Sequence, residues 1–179
     1  MEEFFFIRHG ETDWNREGRW QGTIDTDLNE TGRTQAQAAV PALLDRGISR
    51  IITSPLKRCL QTTEIINYAL MLPVHQDKDL RERTFGRLNG GKVGEIGDIE
   101  QQDHEANGIE YFSTVVRRAT RTIESSLVRY PDQRILFVSH GGVFRAIHSH
   151  FCGEDMKSAN AVPYHFVREN GIWTAQAVA

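Results

Sequence analysis

The sequence predicts an α/β fold, in which a central, mostly parallel β-sheet lies between two layers of helices. The first observation is that short apolar runs typical of buried strands, such as residues 4–7 and 134–138, alternate with longer segments of helical periodicity. The second is that polar residues and glycines follow the predicted strands, where helices are expected to begin. Alternation of this kind favours parallel strands covered on both faces, and hence a three-layer α/β/α architecture.

Each element is predicted from its own local pattern. Thr31 is predicted to cap a helix that runs to about Leu44, with a kink at Pro41. Ser54 and Pro55 are predicted to start the next helix, to about residue 69, because a hydroxyl suits the N-cap and proline suits the first turn. The other predicted elements are strands at 4–7, 50–53, 73–76, 134–138, 162–168 and 172–177, and helices at 111–130 and 141–151.

Composition sets the broad class of protein. The chain has 179 residues, of which 39% are hydrophobic and 25% charged, as expected for one domain with a sizeable core. The net charge of −3 gives no indication of a nucleic-acid or membrane partner. Because Cys59 and Cys152 are the only cysteines, we expect a cytoplasmic protein without a disulfide scaffold. The apolar run at 4–7 is too short for a signal peptide or a membrane span.

The segment 87–108 is polar and contains several glycines, and we predict an irregular insertion there. A lid and a plain surface loop are both compatible with this composition. We expect residues 1–179 to form a single domain that includes this short insertion. The sequence does not determine the oligomeric state.

Polar side chains follow four of the predicted strands at the points where those strands end. Arg8 and His9 follow the first, Arg58 lies one turn after the second, Glu82 follows the third, and His140 follows the strand at 134–138. Any one of these residues alone would more often be structural. Since ligands of open α/β sheets bind beyond the carboxyl ends of the strands, however, we expect all five side chains to meet at one crevice.

This set of groups suits phosphoryl transfer, which depends mostly on positioning and on electrostatic stabilisation. Arginine offers a planar fork of donors that matches phosphate, and the N-termini of helices offer free N–H groups. A neutral imidazole can act as a nucleophile, and a carboxylic acid can protonate a leaving oxygen. The sequence therefore predicts a site for phosphate esters at this edge of the sheet.

Five sequence blocks occur in order along nearly the whole chain. They are RHGETDWN (8–15), QGTIDTDLNETGRTQAQ (21–37), TSPLKRCLQTTEI (53–65), LRERTFG (80–86) and VSHGGVFRAI (138–147). Together they resemble the histidine phosphatase superfamily, in its phosphoglycerate-mutase-like branch. The resemblance implies the α/β fold of that branch and a phosphohistidine intermediate, and we expect no metal ion or other cofactor.

The resemblance also implies roles for the matching residues. His9 is expected to be the nucleophile, and Glu82 the proton donor that later activates water. Arg8, Arg58 and His140 are expected to form the phosphate pocket. Further contacts with phosphate or substrate are expected from Asn15, Gln21, Gly22 and the backbone of Gly141.

Two departures from the family pattern bear on the reaction. Many members carry Trp-Glu-Gly after the LRE block, where this chain has GRLNG at 86–90, so the pocket wall differs and the substrate stays open. True mutases carry a longer insertion with an Arg-Arg pair, whereas only the 57 residues 83–139 separate Glu82 from His140 here. The pair Arg117 and Arg118 lies in a predicted helix and is expected to be mainly structural.

The short insertion favours a phosphatase for a small phosphorylated metabolite over a mutase. Mutase-type phosphoryl transfer and a non-catalytic scaffold that binds a phospho-ligand are the alternatives. The presence of both His9 and Glu82 weighs against the scaffold, because loss of either residue would have been its signature.

Three other motifs are weaker. Asp25 and Asp27 form a DxD pattern, but they do not follow an apolar strand as the aspartyl nucleophile of a phosphatase would. Cys59 lies beside a cation near a helix start, so its thiol could be acidified, although a small buried apolar role is favoured. His148 and His150 are two residues apart and would point to different faces of a helix, which argues against a paired metal site.

Overall fold

The computed structural model describes residues 2–178, in which six strands form one sheet. The strands are β1 (Glu2–Arg8), β2 (Ile48–Thr53), β3 (Val74–Gln76), β4 (Arg134–Ser139), β5 (Pro163–Glu169) and β6 (Ile172–Ala177). Their order across the sheet is β3-β2-β4-β1-β5-β6. The pairs among the first four strands are parallel, while β1 pairs with β5, and β5 with β6, in antiparallel fashion. The predicted mostly parallel sheet is confirmed.

Helices cover both faces of this sheet, because alternate residues of the strands point to opposite sides. The helices are α1 (Asp13–Arg16), α2 (Glu30–Ala38), α3 (Val40–Leu43), α4 (Lys57–Leu70), α5 (Val93–Ile96), α6 (His104–Asn107), α7 (Phe112–Arg129) and α8 (Gly141–Cys152). Phe4 and Phe6 face the core formed with α7 and α8. Phe5 and Ile7 face the core formed with α3 and α4. The predicted three-layer architecture is therefore confirmed.

The prediction of one kinked helix capped by Thr31 is wrong. Asn29 is the N-cap of α2, since its side-chain oxygen accepts a hydrogen bond from the backbone N–H of Gly32. The helix ends at Ala38, and a second, short helix follows at once. Pro41 lies in the first turn of this second helix, where its missing N–H leaves no hydrogen bond unmade.

The predicted cap of the next helix is also wrong, because α4 begins after Leu56 rather than at Ser54 and Pro55. The Ser54 hydroxyl contacts a histidine of the site instead, as described below. A side chain from elsewhere in the chain satisfies the helix start, because Asp25 Oδ1 accepts the backbone N–H of Lys57 at 2.6 Å. In the DxD segment, Asp25 thus binds the N-terminus of α4 rather than acting as a nucleophile.

The insertion at 87–108 consists of short helical pieces and is hydrogen-bonded to the segment after α1. Two 3-10 turns, Gly86–Leu88 and Ile99–Gln101, alternate with α5 and α6. The backbone N–H groups of Trp20 and Gly90 donate to the carbonyl groups of Gly91 and Trp20, at 3.0 and 2.7 Å. These bonds attach the insertion to the part of the chain that leads into the site.

Among residues 2–178, no helix combines the length and the apolar character that a membrane span requires.

Candidate active site

The carboxyl ends of the parallel strands open onto a cavity of about 390 Å³. The predicted site residues that line it are Arg8, His9, Asn15, Gln21, Gly22, Arg58, Glu82 and Gly141. They come from the end of β1, from the segment after it, from the first turn of α4, from the segment after β3, and from the start of α8. His140 is fully buried behind His9, with ring centres 5.3 Å apart. The structure therefore brings all nine predicted residues together.

His9 is held in one tautomer. Its Nδ1 lies 2.7 Å from the carbonyl oxygen of Gly10, so Nδ1 carries the proton and donates it to that oxygen. Nε2 is then left with its electron pair, and Arg58 Nε approaches it at 3.3 Å. Burial, with Arg58 and Arg8 nearby, holds the pKa of His9 well below its usual range. The imidazole is therefore neutral at neutral pH, which is the form that can attack phosphorus.

Arg58 is fully buried, and the loop beside it fixes its guanidinium group. Nη2 donates to the carbonyl oxygen of Gly22 at 2.7 Å, and Nη1 donates to that of Ile24 at 2.8 Å. Gly22 adopts a φ of +52°, and a Cβ at this position would lie 2.1 Å from Asn89 Oδ1. Glycine is therefore needed here both for its conformation and for the close approach of the insertion.

Arg8 has one N–H donor without a hydrogen-bond partner among residues 2–178. Its Nη1 donates to the carbonyl oxygen of Ser158 at 3.0 Å, whereas its buried Nε has no partner among the described residues. The guanidinium group also packs on Gly141, where a Cβ would lie 3.4 Å from Cζ. A cation whose buried Nε–H lies unpaired near His9 suits an anionic ligand.

His140 is positioned by a serine and a cysteine. Its Nε2 lies 2.8 Å from Ser54 Oγ and 3.5 Å from Cys59 Sγ. Burial, and then Arg58, hold the pKa of His140 well below its usual range. Burial also raises the pKa of Cys59 to about 12, which outweighs the effect of the neighbouring guanidinium group. The favoured role of Cys59 as a small buried residue is confirmed by its burial, and the raised pKa argues against an acidified thiol.

Glu82 lies at the N-terminus of α8. Its carboxyl oxygens accept hydrogen bonds from the backbone N–H groups of Arg83 and Gly142, at 2.9 and 3.0 Å. A Cβ at Gly142 would lie 2.3 Å from Glu82 Oε1, so the helix can approach the carboxyl group this closely only with glycine there. These contacts hold the carboxyl group at the wall of the cavity.

The two predicted amide side chains are held by their oxygen atoms. Asn15 Oδ1 accepts the backbone N–H of Thr12 at 3.2 Å. Gln21 Oε1 accepts the hydroxyl groups of Thr12 and Thr26, at 2.9 and 2.6 Å. Because the oxygens are engaged, the amide NH₂ groups are the ends that can donate to a ligand.

Sequence analysis missed the outer wall of the cavity. Its apolar part consists of Trp20, Phe85, Val93, Ile99 and Phe112, and its basic part of Arg19, Arg83, Arg145 and Lys157. These residues come from the segment after α1, from the insertion and its flanks, and from the starts of α7 and α8 and the segment after α8. No local pattern in the sequence marks them, because only the tertiary fold brings them to one surface.

The discarded histidine pair has no role in this site. His148 Nδ1 lies 2.7 Å from the carbonyl oxygen of Glu154, and His150 Nε2 lies 3.7 Å from Glu124 Oε1. Within residues 2–178, no three His, Cys, Asp or Glu side chains are grouped so as to hold a metal ion. A larger cavity of about 580 Å³ lies at the amino ends of β1 and β4, and the residues of the predicted site do not line it.

The description of a known family matches this chain almost from end to end. The model of the histidine phosphatase superfamily, branch 1, matches residues 4–174. The chain belongs to this superfamily. The resemblance drawn from the five sequence blocks is thereby confirmed, together with the phosphoglycerate-mutase-like α/β fold.

Several superfamily relatives have names that describe an activity. The chain is 34% identical over 155 residues to the "uncharacterized phosphatase PhoE" of Bacillus subtilis, which covers 87% of this chain and 80% of that protein. It is also 34% identical over 162 residues to a metal-independent phosphoserine phosphatase of Arabidopsis thaliana, and the match covers 83% of this chain and 68% of that protein. Among solved structures, a mycobacterial glucosyl-3-phosphoglycerate phosphatase complexed with VO₃ has a TM-score of 0.84 and 27% identity, covering 99% of this chain and 98% of that one.

Proposed function

We propose that this histidine phosphatase superfamily member hydrolyses phosphomonoesters of a small metabolite through a phosphohistidine on His9. The observation that carries the proposal is the state of His9, a neutral imidazole whose Nδ1 is bound to the Gly10 carbonyl oxygen and whose Nε2 faces the buried Arg58 guanidinium group, with Arg8 also nearby. The phosphatase names of the relatives support the same reaction.

The reaction proceeds in two steps. In the first, Arg8 and Arg58 hold the phosphoryl oxygens while His9 Nε2 attacks phosphorus, and the bond from phosphorus to the alcohol oxygen breaks. Glu82 gives its proton to the departing alcohol. In the second step, the Glu82 carboxylate takes a proton from water, the resulting hydroxide attacks phosphorus, and the bond to His9 breaks. The products are the alcohol and inorganic phosphate, and Glu82 is again protonated.

The supporting groups have the roles that phosphoryl transfer requires. Burial keeps His140 neutral behind His9, so it supports the phosphate pocket without adding charge. The amide groups of Asn15 and Gln21, together with the N-terminus of α8 at Gly141, add further donors. Since these contacts supply the positive field themselves, we propose that turnover needs no metal ion.

We propose that residues 1–179 act as one domain in the cytoplasm. The sheet that carries the site takes β1 from one end of the chain and β6 from the other, which supports a single unit. Cys59 and Cys152 are both free, which suits a reducing compartment.

The covalent intermediate gives the sharpest test of this function. Brief incubation with ³²P-labelled phenyl phosphate, quenched in alkali, should leave phosphate on the protein that is stable to base and labile to acid. His9→Ala should lose both the label and turnover, whereas His150→Ala, which changes an exposed histidine, should keep both. Full turnover by His9→Ala would overturn the assignment.

A second measurement separates the hydrolase from the alternatives. The protein should release inorganic phosphate in the presence of EDTA. Interconversion of 2- and 3-phosphoglycerate faster than their hydrolysis would instead indicate a mutase. Phosphate-ester binding without any release of phosphate would indicate a scaffold.

A further inference from the structure

The segment that carries Glu82 has almost no regular structure to hold it in place, apart from one 3-10 turn at Lys78–Leu80. Its backbone is held by side chains instead. The three consecutive backbone carbonyl groups of residues 79–81 each accept a hydrogen bond from a side chain. Arg118 Nη1 donates to the first and third, at 2.6 Å each, and Ser139 Oγ donates to the second at 2.7 Å.

The rest of the Arg118 guanidinium group is bound to Glu110. Nε and Nη2 of Arg118 donate to the two carboxylate oxygens, at 2.8 and 2.9 Å, in the bidentate geometry that arginine favours. The Arg118 and Glu110 side chains are only 14% and 18% exposed. Glu110 also binds the far side of the same segment, because its N–H donates to Thr84 O at 3.0 Å and its carbonyl accepts Arg83 Nε at 2.6 Å.

We infer that Arg118 is a positioning residue for Glu82, an inference that rests on the proposed function. The third carbonyl group that it binds belongs to the peptide bond between Arg81 and Glu82, so this contact fixes the point from which the Glu82 side chain extends. The carboxyl end is fixed separately by the N–H groups of Arg83 and Gly142. Arg118 is not among the described residues that line the cavity, so it acts on the substrate through Glu82.

The inference predicts a loss that depends on the leaving group. The alcohol of glycerol phosphate needs a proton to depart, whereas p-nitrophenolate departs unaided. The test is the single-turnover rate of phosphohistidine formation in Arg118→Lys and Arg118→Met. A displacement of about 1 Å can cost up to about 10²-fold in rate. We therefore expect at least a tenfold loss with glycerol phosphate and less than about a threefold loss with p-nitrophenyl phosphate.

Two further variants isolate the route of the effect. Glu82→Gln combined with Arg118→Lys should be no slower on glycerol phosphate than Glu82→Gln alone, because both changes disable the same proton transfer. Arg121→Met is the matched control: Arg121 lies one turn along α7 and its exposed side chain binds the same segment, but only through the side chain of Asp79. It should react like the wild type with both substrates.

The possible outcomes distinguish a failure of this inference from a failure of the proposed function. Equal losses with the two substrates in Arg118→Lys, or additive losses in the double variant, would overturn the positioning role while leaving phosphohistidine chemistry intact. A wild-type protein that forms no phosphohistidine from either substrate would overturn both. Arg118→Lys keeps a cation beside Glu110, so it carries the test even if Arg118→Met fails to fold.

Discussion

Arg58 makes three directional contacts from one fully buried guanidinium group. Two of them bind the carbonyl oxygens of Gly22 and Ile24, and the third faces His9 Nε2. The contacts lie in the plane of the fork, so the loop and His9 are held in a fixed position relative to each other. Two N–H groups of the same fork remain for a ligand in the cavity that Arg58 lines.

We expect Arg58→Lys to lower activity strongly, although lysine keeps the positive charge. A lysine ammonium group is a point charge and cannot bind both carbonyl oxygens and the phosphate together. Loss of a preorganised donor of this kind typically costs about 10²–10³-fold in kcat. Steady-state kinetics with p-nitrophenyl phosphate would measure this loss, and the competitive inhibition constant for vanadate should rise as well. Wild-type kinetics in Arg58→Lys would show that Arg58 does not contact the phosphate.

The insertion at 87–108 and the Arg58 side chain are linked through the segment at 18–22. This segment pairs with residues 90–93 of the insertion on one side, and Gly22 binds Arg58 on the other. A change in the insertion can therefore alter the position of Arg58 without contacting the substrate.

Gly22→Ala tests this link. The added Cβ would meet Asn89 Oδ1 at 2.1 Å and would also oppose the positive φ. We expect the loop to shift in response and to carry its carbonyl group away from Arg58. We expect a rise in KM and a fall in kcat for p-nitrophenyl phosphate. Gly171→Ala is the matched control, since Gly171 has a φ of +82° but no atom within 4 Å of the added Cβ. It should lose some stability and no activity, and similar kinetics in the two variants would contradict the link.

The charge of the cavity bears on the choice of substrate. Among the described lining residues, Glu82 is the only carboxylate, and it faces six cationic side chains: Arg8, Arg19, Arg58, Arg83, Arg145 and Lys157. Three of these cations are paired with carboxylates that lie outside the lining, namely Glu17, Glu100 and Asp155. An ammonium group on a substrate would therefore meet more cationic side chains than carboxylates in this cavity.

Phosphoserine and 3-phosphoglycerate make a matched pair of substrates, because they differ only in an ammonium and a hydroxyl group. A like-charge contact at about 4 Å costs about 1 kcal/mol even in water, which corresponds to roughly fivefold in rate. We expect kcat/KM for 3-phosphoglycerate to exceed that for phosphoserine by at least this factor. Lys157→Glu should narrow the gap. A preference for phosphoserine would contradict the expectation.

The buried histidines make the stability of the whole molecule depend on pH. The pKa values of His9 and His140 are depressed in the folded chain, and they return to about 6.5 on unfolding. Below about pH 6.5 the unfolded chain therefore binds more protons than the folded chain, so acid favours unfolding. Urea denaturation between pH 7 and pH 5 should show stability falling as the pH falls. His140→Asn should flatten this dependence, and an unchanged slope would contradict the role of His140.

The site was predictable where its residues follow strands directly, and not where they depend on distant segments. His9, Arg58 and His140 are marked by apolar runs that end in polar residues or lead into a helix, and the parallel sheet brings such ends together. Ser54 was predicted to be a helix cap because its neighbours suit one, yet its hydroxyl binds a histidine 86 residues away. Arg118 was expected to be structural, and nothing in its helix shows that it reaches a loop.

The secondary-structure elements were likewise predictable where the local sequence determines them, and not where distant residues do. Each strand, and the helices α4, α7 and α8, were predicted from local sequence patterns to within a few residues, whereas α2 and α3 were predicted as one helix. The start of α4 was placed too early because Asp25, from another part of the chain, satisfies it. The insertion was predicted only as irregular, since its short helices depend on contacts around Phe85 and Ile99 with Trp20.

The burial of Cys59 has a consequence for how the protein responds to oxidants. Phosphatases with a thiolate nucleophile are inactivated when peroxide oxidises that sulfur. Here the Cys59 thiol is fully buried, contacts Ser139 and His140, and has a pKa that burial raises to about 12, so we expect it to be a poor nucleophile and a poor target for oxidants. We expect hydrogen peroxide and iodoacetamide to leave activity unchanged, even where the more accessible Cys152 is alkylated. A cell under oxidative stress would then lose its thiolate phosphatases first, while this protein continued to turn over.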